Sequence, residues 1–120
     1  MNSLTDKKCK SCEGMGKSLT LDDAKDYLQH TPGWGIDPDG KSISREFITK
    51  NFMAAVNFIH KIAQVAESEN HHPDLHLTGY RKLRVDLTTH AIGGLSENDF
   101  IVAAKINALP VELKKQENHV

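Results

Sequence analysis

The chain has 120 residues, with 15 Lys and Arg against 16 Asp and Glu, for a formal charge of −1. That length favours one domain, and 38% hydrophobic with 26% charged residues is the composition of a globular chain, not a disordered one. The near-zero balance gives no electrostatic reason to expect nucleic acid as a partner. No apolar run approaches the ~18 residues of a membrane span, and Met1–Lys10 lacks the apolar core of a secretory signal, so no membrane and a cytoplasmic location are expected.

Residues 1–17 read as a flexible N-terminal arm carrying Cys9-x-x-Cys12. A structural zinc wants four ligands and there is no second Cys pair; a thioredoxin-type site needs a helix at the motif, where Gly14 and Gly16 stand instead. The favoured reading is two idle reduced thiols, with a zinc completed by a histidine or a second subunit as the alternative. A single domain follows over 18–112, and 113–120 reads as a frayed tail.

Thr20-Leu-Asp-Asp23 has the form of a helix start, with a Thr cap and acids at the positive end of the dipole. That helix should stop before Pro32-Gly33. Residues 34–46 read as a hairpin around the turn Asp37-Pro-Asp-Gly40. A long helix is expected from Phe47 to about Ser68, with Phe52, Val56, Ile59, Ala63 and Ala66 as its buried stripe. Asn70-His71-His72-Pro73 breaks it. Leu75–Tyr80 and Leu83–Thr89 read as strands; parity sends Leu83, Val85 and Leu87 to one face and Arg84, Asp86, Thr88 and His90 to the other. Ser96-Glu-Asn-Asp99 starts a last helix with Asp99 at the capping-box position. The apolar residues of that helix exceed one face, which suggests a subunit contact over Ser96–Leu109 or at the sheet edge. The order α-β-β-α-β-β-α with hairpins implies an α+β fold: a four-stranded antiparallel sheet with three helices packed on one face.

Seven histidines in this length is a high count. If the last two strands form a hairpin, Leu75 and Thr89 become neighbours, which gathers His71, His72 and His90 around one mouth within reach of Glu67. Three imidazoles and a carboxylate suit acid–base catalysis, since histidine titrates near neutral pH. They also suit a three-histidine metal site, against which the adjacency of His71 and His72 argues. A solvated turn is the bland alternative for His-His-Pro. Gly93-Gly94 reads as a turn that lets a ligand approach the backbone. His30, His60 and His119 read as surface residues, and His76 as a further candidate for the mouth.

Glu67-x-x-x-His71-His72-Pro73, then Tyr80, Thr88-Thr-His90, Gly94-Leu-Ser96 and Asp99, resembles the signature of the pterin-4a-carbinolamine dehydratases. Leu19-Thr20, Pro32-Gly-Trp34 and the Cys9-x-x-Cys12 arm are also similar to members of that family. The resemblance implies the same fold and a hydro-lyase that converts 4a-hydroxytetrahydropterin to quinonoid dihydropterin and water. That reaction recycles the tetrahydropterin of an aromatic amino-acid hydroxylase. It further implies no metal, no cofactor, and a homodimer or homotetramer. By motif position His71 and His90 are implied as the acid–base pair and His72 as chiefly holding the pterin. Glu67, Asn70, Pro73, Thr89 and Asp99 are implied at the substrate. Leu75 stands where animal members carry a tryptophan near the substrate, so His76 or Tyr80 is expected to supply part of that wall. The alternative is a non-catalytic regulatory or assembly protein on the same scaffold, akin to the dimerisation cofactors among animal members; retention of all three histidines speaks for catalysis.

Overall fold

The computed structural model describes residues 4–10 and 17–115. Its elements are a short 3-10 turn at Leu4–Asp6, α1 (Leu21–Leu28), β1 (Gly35–Ile36), β2 (Ile43–Ile48), α2 (Phe52–Glu69), β3 (Asp74–Thr78), β4 (Lys82–Leu87), a 3-10 turn at His90–Ile92, and α3 (Glu97–Asn107). The strands form one antiparallel sheet in the order β1-β2-β4-β3, the α+β arrangement expected from the sequence. No described helix is long and apolar enough to cross a membrane.

Local chemistry sets the boundaries. Thr20 caps α1 by accepting the Asp23 N–H at 3.1 Å. In the β1–β2 turn Gly40 takes φ +71°, and the Asp37 carboxylate accepts from the Ser42 and Ser44 hydroxyls. Helix α2 begins at Phe52, five residues later than expected. Phe47 belongs to β2, and Asn51 caps the helix by accepting the Ala54 N–H at 2.8 Å. At the other end Asn70 adopts the left-handed conformation (φ 51°, ψ 40°) and turns the chain out of the helix.

Leu83, Val85 and Leu87 point into the core, where Phe47 packs edge-on against Phe58 of α2, while Arg84 lies on the solvated face. The expected stripe on α2 is corrected. The core takes Ala55, Phe58, Ile62 and Ala66, whereas Phe52, Met53 and Val56 are exposed. Two apolar stripes compete on this helix, and the one with its aromatic at Phe58 faces the sheet. On α3 Phe100 through Ala104 and Ile106 are all buried. Its second apolar face is covered within the chain by Leu4 and by Tyr27, which stacks on Phe100 at 4.9 Å. The excess hydrophobicity of α3 therefore does not mark a subunit contact.

Residues 4–10, read as part of a flexible arm, lie against α3, and Leu4 is buried. Cys12 lies outside the described residues. At the other terminus Leu113 bridges to Thr49 and the Lys114 N–H donates to the Ile48 carbonyl, so 113–114 extend the pairing of β2.

Candidate active site

Two elements bring the site residues together: the α2–β3 connection, which carries Glu67 and His71-His72-Pro73, and the segment from the end of β4 into α3. Their relative position follows from strand register. Leu75 pairs with Val85, not with Thr89, a shift of four residues from the expected neighbour. Continuing the same pairing sets His71 opposite Thr89, the two residues that meet.

They meet on Asp99. His71 Nε2 lies 2.6 Å from Asp99 Oδ1, with His71 7% exposed and Asp99 fully buried. The other oxygen, Oδ2, accepts the Thr89 hydroxyl at 2.9 Å and the Ser96 N–H at 3.0 Å. The Ser96 hydroxyl lies 2.7 Å from Thr89 Oγ1. Asp99 is the acidic member of the α3 capping box, so one carboxylate both starts the helix and holds the imidazole. A carboxylate only accepts, which puts the ring hydrogen on Nε2 and leaves Nδ1 as the basic atom of His71.

His72 turns the other way. Its Nε2 lies 2.5 Å from Glu67 Oε2 in an exposed pair. Both side chains line a cavity of about 280 Å³, together with Pro73 and the apolar Ile62, Ala66 and Leu75. His90 opens the 3-10 turn after β4, with its ring exposed. The strand ends at Leu87, so parity does not set the direction of His90. The turn is closed by the mutual backbone bonds of Thr89 and Gly94. A Cβ at Gly94 would come within 2.9 Å of Ser18 Cβ, so that glycine makes room for the N-terminal segment, not for a ligand.

Several expected residues lie elsewhere. Asn70 caps α2. Thr89 and Asp99 are buried behind His71. His76 sits on the outer face of the sheet, 3.1 Å from Asp86, and Tyr80 lies on the turn at the far end of the β3–β4 hairpin. Neither lines the cavity; Leu75 does. His30 and His60 are exposed, and His119 lies outside the described residues. The Cys9 thiol is pushed up to about 12 by burial and by the neighbouring Glu69 carboxylate, the reverse of an activated redox cysteine.

Glu69, Asn98 and Lys105 drew no notice in the sequence, yet they surround this region. Burial pushes the Glu69 carboxyl up. The bonds from Lys105 Nζ at 2.7 Å and the Cys9 N–H at 2.8 Å outweigh that and hold it below its ordinary value. The available signal was positional: Glu69 follows Phe58, Ile62 and Ala66 on the buried stripe, where an acid must have a partner.

A histidine with one nitrogen fixed by a buried carboxylate, adjacent in the chain to a histidine that lines a small and mostly apolar cavity, is the equipment of an acid–base enzyme acting on a small molecule. The family model for pterin 4 alpha carbinolamine dehydratase matches residues 17–109. The chain is 46% identical over 112 residues to pterin-4-alpha-carbinolamine dehydratase 2, mitochondrial, of Arabidopsis thaliana, covering 91% of this chain and 60% of that protein. It is 45% identical over 107 residues to a protein of Halorhodospira halophila named for the same activity, covering 89% of this chain and 97% of that one. Among solved structures, the transcriptional coactivator/pterin dehydratase from Brucella melitensis superposes with a TM-score of 0.72 at 33% identity, over 77% of this chain and 97% of that one. The chain belongs to the pterin 4 alpha carbinolamine dehydratase family, a family of hydro-lyases.

Proposed function

We propose that the protein dehydrates a 4a-hydroxytetrahydropterin to quinonoid dihydropterin and water, restoring the cofactor of an aromatic amino-acid hydroxylase. The observation that carries this reading is the His71–Asp99 bond, which commits Nε2 to a buried carboxylate and makes Nδ1 the ring nitrogen that takes the proton. In the reaction the C4a–O bond breaks, the hydroxyl leaves as water after gaining a proton, N5 loses its proton, and a C4a–N5 double bond forms. His71 is the base at N5–H, since Asp99 stabilises the imidazolium that results. His90 is the acid at the leaving oxygen. Each contributes about 10²–10⁴-fold. Thr89 and Asp99, being buried, position His71 and do not touch the ring. His72 and Glu67 hold the pterin, the carboxylate accepting from its amino and amide N–H groups, and Ile62, Ala66 and Leu75 supply the apolar wall.

A homo-oligomer completes the reading, and what supports it is the outer stripe of α2: Phe52 at 50%, Met53 at 60% and Val56 at 37% exposure form one apolar patch. A regulatory role is the second reading. It draws on the name of the Brucella structure, and the residues above favour chemistry.

The test is a coupled assay with a phenylalanine hydroxylase and tetrahydropterin. Quinonoid dihydropterin should form faster in proportion to added protein; no acceleration at micromolar protein would remove the proposal.

A further inference from the structure

The His71–Asp99 bond spans two separate pieces of backbone, the exit of α2 and the first turn of α3. Its length depends on how those pieces are held together. A second set of contacts ties the same two pieces from the buried side. Glu69, two residues before His71, accepts from Lys105 Nζ on α3 at 2.7 Å through Oε2 and from the Cys9 N–H at 2.8 Å through Oε1. Its side chain is 3% exposed and that of Lys105 is 18% exposed. Asn98, adjacent to Asp99, clamps the backbone of Lys10 on both sides: Oδ1 accepts its N–H at 3.0 Å and Nδ2 donates to its carbonyl at 2.8 Å. Glu97 receives Lys7 Nζ at 2.8 Å and the Tyr27 hydroxyl at 2.9 Å. Of three consecutive residues in the first turn of α3, two hold the segment 4–10 and the third holds His71.

We propose that residues 4–10 form a strap, and Glu69 a positioning residue, that together set the His71–Asp99 pair for proton transfer. The proposal rests on the dehydratase reading only for its kinetic readout. The physical reason is that an exchange of a buried ion pair for apolar side chains costs little stability, and can even add some. A shift of about 1 Å in a catalytic group, by contrast, costs on the order of 10²-fold in rate. The conformation of the α2 exit cannot absorb such a shift alone, because Asn70 already takes a left-handed turn there and the His71 N–H is spent on the Ala66 carbonyl.

The experiment compares full-length wild type with Glu69→Ala, Glu69→Gln, Asn98→Ala and a protein lacking residues 1–10. Glu69→Ala should lower kcat about 10- to 100-fold with KM within about threefold. Glu69→Gln keeps one oxygen, for Lys105 or for Cys9, and turns its NH2 toward the other donor, so its kcat should fall between those of wild type and Glu69→Ala. In a His71→Ala background Glu69→Ala should have no further effect, because it acts through that ring. Independently of turnover, the downfield proton resonance of the His71 Nε2–H should shift or broaden in Glu69→Ala, and shift less in Glu69→Gln, which keeps one of the two bonds. Should Glu69→Ala fail to fold, Asn98→Ala and the strap deletion carry the same expectations. An unchanged resonance and unchanged kcat in a folded Glu69→Ala, Asn98→Ala or deletion protein would overturn the proposal. A changed resonance in a chain with no dehydratase activity would support the strap and remove the function.

Discussion

Replacing Asp99 by Asn probes the site most finely, because the structure dictates which way the amide must sit. At Oδ2 the carboxylate accepts two donors, Thr89 Oγ1 at 2.9 Å and the Ser96 N–H at 3.0 Å. A backbone N–H can only donate, so the amide oxygen of the variant must stay there. The amide nitrogen then takes the place of Oδ1 and faces His71 Nε2 across 2.6 Å. With the hydrogen still on Nε2, two donors would meet in a buried site, at a cost of about 2–6 kcal/mol for the pair. The ring escapes by moving its hydrogen to Nδ1, which removes the base. At 1.36 kcal/mol per factor of ten, that penalty corresponds to a roughly 30- to 3 × 10⁴-fold loss of kcat. The capping bond survives, so unfolding stability should fall by only about 1–2 kcal/mol. The assay pairs the dehydration rate with a long-range nitrogen–proton correlation spectrum that reads the His71 tautomer. A reversed tautomer with kcat within about threefold of wild type would refute the reasoning.

Two further outcomes are expected. Glu69 and Glu97 both sit below their ordinary values in the folded protein, Glu69 because its hydrogen bonds outweigh burial and Glu97 chiefly through Lys7. Their stabilisation is therefore present above the unfolded carboxylate range near about 4.3 and is lost as pH falls through the depressed folded values. Urea midpoints from pH 6 to pH 3 should decline less steeply in Glu69→Gln than in wild type, and equal slopes would count against this. For assembly, Met53→Glu or Val56→Glu should yield folded monomers in sedimentation, whereas Ile101→Glu should unfold the chain by more than about 4 kcal/mol. An oligomer that survives both α2 changes would exclude that face.

The fold was legible in the sequence wherever local chemistry decides alone. The Thr20 cap, the Asp37–Gly40 turn, the Asn70–Pro73 break and the Leu83/Val85/Leu87 alternation all sit where their side chains require. What sequence periodicity cannot decide is which of two apolar stripes on one helix meets the sheet. Helix α2 offers Phe52, Val56 and Ile59 as well as Phe58, Ile62 and Ala66, and only tertiary packing selects between them. The apolar excess of α3 was real, but its cover came from Leu4, far away in sequence. The site was legible as a residue set through the family signature, and illegible as geometry. A four-residue difference in β3–β4 register decides that His71 meets Thr89 and Asp99, while His72 meets Glu67. Glu69 and Asn98 carry no motif, and their partners lie 60 and 88 residues away in the chain.

The most direct measurement of the central claim is a single-turnover dehydration of 4a-hydroxytetrahydropterin by His71→Ala, His90→Ala and the double variant, each checked by circular dichroism. Each single variant should lose kcat far more than affinity, and His72→Ala should chiefly raise KM. Because C4a is chiral, a single variant can keep activity on one stereoisomer, so the double variant is decisive. The expected result is a folded double variant whose rate falls to the uncatalysed rate. A folded double variant that retains most of the wild-type kcat would contradict acid–base catalysis at this site.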